Sequence, residues 1–241
     1  MDSSRVIEDY NKEQILRGQP LFQELFDYEV TIDGIIITKF KKKHYSEVRN
    51  LRLPRGVVSI GGFSGVTSID SIYLPDTCTE IQDNAFNCCT ISKINLKNVI
   101  KFGSGAFSAC VLMDIRQLPK VINLPSSCFQ NAKCLENLHE IHANYIGRNC
   151  FAATNLEECT VVGAKHVDIY SFLGSDVRYL KFVDCTFVDI RAFENCHSLE
   201  EVHFDNCGIN VEYLDGIALK GVDKLEKLVI NDSEVKIIKE I

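Results

Sequence analysis

The chain has 241 residues, is 46% apolar without a single tryptophan, and carries a formal net charge of −7 with a pI near 5.4. That apolar content suits a packed protein and speaks against a disordered one. The acidic balance argues against a nucleic-acid-binding surface as its main purpose, so no nucleic-acid partner is expected.

Residues 2–17 read as a helix. Asp2, Ser3 or Ser4 can cap it, Val6, Ile7, Tyr10, Ile15 and Leu16 give it an apolar side, and Gly18 and Pro20 end it. Leu21, Phe22, Leu25 and Phe26 extend the apolar face. Glu8, Asp9, Lys12, Glu13 and Arg17 leave no continuous apolar stretch at the start, so no secretory signal peptide is read there. The longest aliphatic run, Ile35-Ile36-Ile37, is too short for a membrane span, and a cytoplasmic location is the expectation. Val30 to Ile37 predicts a hairpin around Asp33-Gly34, and Phe40-Lys41-Lys42-Lys43-His44 a solvated cationic loop. Residues 1–47 thus form a helical and hairpin cap over the remainder of the chain.

From residue 48 a single figure recurs, centred on Phe63, Phe86, Phe107, Phe129, Phe151, Phe172 and Phe193, spaced 23, 21, 22, 22, 21 and 21 residues, with a weaker copy at Leu219. Five positions before each centre stands Val58, Ile81, Phe102, Leu124, Ile146, Val167, Val188 or Leu214. The position just before it is always small: Gly62, Ala85, Ala106, Cys128, Cys150, Ser171, Ala192 and Ala218. Behind it runs an L-x-x-L-x-L stretch, as in Leu199, Val202 and Phe204 or Val177, Leu180 and Phe182. Around Phe107 and Phe129 the corresponding Leu112, Ile115 and Leu118, and Leu135, Leu138 and Ile141, leave the strand register open.

A constant period near 22 residues marks a solenoid. One such coil cannot enclose a core, so it buries its apolar residues against the coils above and below. The fold class expected is an α/β-type solenoid of about eight to nine coils, with a parallel β-sheet on one face and the phenylalanines filling the core opposite. The solenoid spans 48–230, and 231–241, carrying Glu234-Val235-Lys236-Ile237-Ile238-Lys239, is the closing strand.

Ile-Gln-Asp-Asn-Ala-Phe-Asn-Cys-Cys at 81–89 and Ile-Arg-Ala-Phe-Glu-Asn-Cys-His-Ser-Leu-Glu-Glu-Val at 190–202 resemble the BspA-like, or Treponema-type, leucine-rich repeat. Leu51-Arg52-Leu53-Pro54 and Ile72-Tyr73-Leu74-Pro75 add the strand-ending proline of that repeat. The resemblance covers about 48–230. It implies a scaffold used in adhesion and protein recognition, with no shared catalytic residues to carry over.

No chemistry is expected of this sequence: no catalytic residues, no cofactor and no metal site. The eleven cysteines include no C-x-x-C, and most fall into repeat columns as small apolar residues. Cys89 and Cys110, Cys128 and Cys150, and Cys185 and Cys207 sit in adjacent coils, where stacking could satisfy a disulfide; without an export signal, reduced thiols are expected. His139 and His142 in His-Glu-Ile-His stand an odd number of positions apart, on opposite sides of a strand. Neither a P-loop nor a G-x-S-x-G motif is present, and no acid/base pair stands out, so an enzyme is not expected.

What remains is the outer side of the sheet. The alternation places Tyr73, Lys93, Asn95, Glu158, Thr160, Tyr179, Lys181, Glu201 and His203 there, a polar and varied surface with two tyrosines. A merely solvated face would look similar, yet rigid curved surfaces bearing tyrosine are what protein-recognition solenoids use. The reading is therefore a non-catalytic protein–protein interaction scaffold. The alternative is a secreted effector or surface antigen or adhesin acting on another cell. Nothing in the sequence names the protein partner or sets an oligomeric state.

Overall fold

A computed structural model describes residues 2–41, 43, 46, 48–112, 115–116, 118–119, 122–209 and 220–235. Helix α1 (Ser3–Leu16) begins at Asp2, whose carboxylate accepts hydrogen bonds from the N–H groups of Ser4 and Arg5 at 3.1 and 3.4 Å. The single turn α2 (Phe22–Leu25) points Phe22 and Leu25 inward, and Phe22 meets Tyr10 edge-on at 5.5 Å between ring centroids. That contact seats α1 on the end of the stack. No helix among the described residues is long and apolar enough to cross a membrane.

The predicted hairpin forms from Phe26–Val30 and Ile35–Phe40, paired antiparallel. Its second strand then pairs in parallel with Val57–Ile60, and Phe40 stacks on Phe63 at 5.1 Å and 7°. The cap therefore grows into the solenoid without a break, and Phe40 is one more member of the phenylalanine column.

Two long parallel ladders run along the stack, with a short third one where Thr90–Ile91 pairs with Val111–Leu112. The face ladder is the expected L-x-x-L-x-L sheet. It comprises an N-terminal patch of Asn50–Arg52, Ser71–Tyr73 and Lys93–Ile94, and a C-terminal patch that runs from the first half of Glu140–Ile146 through Glu158–Val162, Tyr179–Val183 and Glu201–Asp205 to Lys227–Ile230. The anchor ladder, just before each phenylalanine, was not anticipated. Val57–Ile60, Glu80–Ile81, Lys101–Phe102, Ile122–Leu124, the second half of Glu140–Ile146 and His166–Val167 make it up, and Val188 and Ile209 prolong it as single bridges. Ser233–Val235 turns back antiparallel on Lys227–Ile230 and closes the described chain. The rest of the expected closing strand, and the weaker repeat with Leu214, Ala218 and Leu219, lie outside the described residues.

Register differs from expectation in the first coil. Ile60 pairs with Ile81, and Val58 is only half-buried. Gly61 and Gly62 cause the shift: Gly62 has φ +72°, and a Cβ there would lie 2.2 Å from the Thr38 carbonyl oxygen, so the coil is drawn tight where only glycine fits. Around Phe129, one extra residue separates Leu138 from Ile141, so that Ile141 pairs with Val161 and the strand starts late at Glu140. Around Phe107, Leu112, Ile115 and Leu118 are buried as predicted, but no face-ladder strand is described between Ile94 and Glu140.

The core is a column of rings. Phe63, Phe86, Phe107, Phe129, Phe151 and Phe172 follow one another at 5.2–5.5 Å, all fully buried. The small residue ahead of each ring has a plain cause. The N–H of Phe63, Phe86, Phe107, Phe129, Phe151 and Phe172 donates to the carbonyl of Ala85, Ala106, Cys128, Cys150, Ser171 and Ala192 in the next coil, at 2.6–2.8 Å. Backbones touch at this turn, and a large side chain would hold the coils apart. Every cysteine is a free thiol, and all but Cys88, Cys134 and Cys207 are buried.

Candidate functional site

The C-terminal patch of the face ladder brings six of the nine expected residues together. In-register pairing puts Glu158, Tyr179, Glu201 and Lys227 in one outward column and Glu140, Thr160, Lys181 and His203 in the next, which ends on the buried Val229. The Tyr179 ring lies 5.2 Å from the His203 ring, tilted by 42°. His203 Nε2 sits 3.0 Å from Glu201 Oε2, which Lys227 Nζ approaches to 3.8 Å. Lys181 Nζ is 2.6 Å from Asp205 Oδ2, and this hydrogen bond raises the lysine pKa above its ordinary value. Burial raises that of the Tyr179 phenol. At the margin Arg178 grips Glu200 through two 3.1 Å bonds, which hold that carboxyl below its usual range. The charges are thus fixed across coils, Arg178 by Glu200, Lys181 by Asp205 and Glu201 by Lys227.

Tyr73, Lys93 and Asn95 belong to the separate N-terminal patch. Tyr73 lies under the Arg52 guanidinium at 5.0 Å. The Asn95 amide is engaged with the fold: its Oδ1 accepts from the Leu74 N–H at 2.6 Å and its Nδ2 donates to the Leu74 carbonyl at 2.9 Å. At the seam between the patches lies a groove of about 380 Å³ bordered by Asn95, Lys97, Leu118, Glu140 and His142. A larger hollow of about 650 Å³ separates α1 from the first coil, between Arg5, Tyr10, Arg52 and Pro54.

Two features escaped the sequence reading. Asp205 completes the Lys181 pair, and its signal was one more step of the same alternation past Phe204. The anchor ladder carries its own aromatic stripe: Tyr145, His166 and Phe187 stack at 5.9 and 4.7 Å, with the Tyr145 hydroxyl donating to Asp168 at 3.0 Å. Beside it, Tyr170 lies between Arg148 and Arg191, at 5.1 and 5.9 Å. Comparing the position six before each anchor from coil to coil would have shown the stripe.

His139 stands exposed ahead of its strand, while His142 contacts Glu140 on the outer side. Among the described residues no group of three or more His, Cys, Asp or Glu is placed to hold a metal ion.

Known proteins place the chain in a family. The sequence profile of the BspA type leucine-rich repeat region matches residues 37–157 and 165–241, in six copies. No curated protein matches the chain. A leucine-rich cell surface protein from Faecalibacterium prausnitzii A2-165 has a similar structure, with a TM-score of 0.53 and 20% identity over 75% of this chain and 53% of that one. The chain thus spans about half the length of that protein. Leucine-rich repeat proteins from Bacteroides ovatus and Eubacterium ventriosum match at 15% and 17% identity, with TM-scores of 0.38 and 0.34, over 86% of this chain and 78% and 76% of theirs. Leucine-rich repeat proteins are in general protein-interaction or surface scaffolds. With its period, its stacked phenylalanines and most of its length matched, the chain belongs to the BspA-type leucine-rich repeat family.

Proposed function

We propose that this protein is a non-catalytic scaffold that binds a protein partner through the outer side of the C-terminal patch of the face ladder. The observation that carries the reading is the Tyr179–His203 pair, set among charges already fixed by neighbours in adjacent coils. A tyrosine offers a large contact area with few rotamers to freeze, and such residues dominate binding energy at protein interfaces. Pre-paired charges around it steer orientation and partner choice more than raw affinity. A cytoplasmic setting is part of this proposal.

A partner captured from the native cell and titrated calorimetrically tests it. Tyr179→Ala combined with Lys181→Glu should weaken binding at least about thirtyfold, which is about 2 kcal/mol. Circular dichroism should be unchanged, because both side chains point outward and a surface pair contributes little to stability. Arg148→Ala, on the anchor-ladder side, should leave the affinity as it was. The opposite pattern would move the site to the Tyr145–His166–Phe187 stripe.

A second reading, a surface antigen, adhesin or secreted effector, takes its support from the cell-surface description of the Faecalibacterium protein. Fractionation of the native cell with an antibody to the chain distinguishes the two: surface labelling of intact cells favours the second.

A further inference from the structure

Three pairs of cysteines stack in adjacent coils, and the structure separates them by access. Cys128 and Cys150 are both 0% exposed, and Cys89 and Cys110 are 1% and 0% exposed. Cys185 is also sealed at 1%, but its neighbour Cys207 reaches the surface.

Cys185 and Cys207 occupy equivalent positions of two adjacent coils. Both lie two residues beyond the paired positions Val183 and Asp205. Their backbones stay in contact there: the Gly208 N–H donates to the Cys185 carbonyl at 3.0 Å, and the Cys185 N–H points at Cys207 Sγ at 3.4 Å. Strand-like neighbours of this kind stand about 4.8 Å apart, inside the Cα separation of roughly 4.4–6.8 Å that a disulfide spans. The thiols make only long contacts to backbone carbonyls, Cys185 to Val183 at 3.5 Å and to Val161 in the preceding coil at 3.7 Å, and Cys207 to Asp205 at 3.3 Å, so Cys185 has to turn away from Val161 to meet Cys207.

We infer that Cys185 and Cys207 form a redox modification site at which a low-molecular-weight disulfide, entering at Cys207, ties these two coils together. Cys207 gives its proton to solvent, and its thiolate attacks one sulfur of the small disulfide. A mixed disulfide forms on Cys207, and one small thiolate leaves and takes up a proton. Cys185, deprotonated in turn, attacks the Cys207 sulfur; the protein disulfide forms and the second small thiolate leaves and is protonated. Two protein thiols are oxidised and one small disulfide is reduced to two thiols. Burial pushes the Cys185 thiol up to about 12 and raises that of Cys207, so closure is slow at neutral pH. The bond falls at the ends of Tyr179–Val183 and Glu201–Asp205 and fixes the spacing of those two strands.

The test treats the folded full chain with oxidised glutathione, then alkylates it in denaturant and maps the peptides by mass spectrometry without reduction. Cys88→Ser and Cys134→Ser are built in, because those thiols also reach the surface. The expected result is a cross-linked peptide joining Cys185 to Cys207, with both thiols lost together and Cys128 and Cys150 still alkylated. With Cys185→Ser added, one glutathione should remain on Cys207; with Cys207→Ser added instead, Cys185 should stay unmodified. A glutathione that persists on Cys207 while Cys185 remains alkylatable would overturn the inference. So would a Cys128–Cys150 cross-link that forms as fast.

Discussion

Phe151 shows how each coil is held by its neighbours. Its ring lies 5.3 Å from Phe129 at 1° and 5.5 Å from Phe172 at 13°, and none of it reaches solvent. Because the rings on both sides are fixed by their own backbone bonds, the column cannot collapse into a gap. Phe151→Ala should therefore cost about 3–5 kcal/mol in a denaturant titration. A loss below about 1 kcal/mol would mean that the rings are not the core. The residue just before carries the complementary lesson. Cys150 looks chemically interesting in the sequence, but its column is small because the coils meet there through the Phe129 N–H and the Cys150 carbonyl at 2.8 Å.

The two ladders were not equally legible in the sequence. The face strands carry alternating inward residues, such as Leu180 and Phe182 or Val202 and Phe204, and alternation is what a sequence reading detects. Anchor strands such as Glu80–Ile81 and Lys101–Phe102 are two residues long, with one inward side chain each, so they leave no period-two signal. Their ladder is a backbone construction, visible only once the coils are stacked. The candidate site divides in the same way: Tyr179, Lys181, Glu201 and His203 follow from the alternation, while the stripe on the anchor side does not. The strand Lys93–Ile94 ends early, and the Asn95 side chain, bonded to both Leu74 backbone groups, supplies the next rung. Asn95→Ala should cost about 1–2 kcal/mol in urea, since water partly replaces the lost bonds at this exposed position. Unchanged stability with weakened partner binding would instead make Asn95 a contact residue.

At the scale of the whole molecule, stability is a sum over neighbouring coils, because each touches little beyond the next. The hairpin at one end and the returning strand Ser233–Val235 at the other are antiparallel, whereas the ladders between them are parallel. The hydrogen bonds between coils point along the long axis of the stack. Under tension applied at the two ends, these bonds are loaded in series, so they open one coil at a time instead of resisting together as a sheet pulled in shear. Each coil of about 22 residues that peels away should lengthen the tether by about 70 Å. An optical-trap trace should show a low-force staircase of such steps, and a single rip of the full length would count against it. A scaffold built in this way yields to a pull gradually, a shock absorber rather than a clamp.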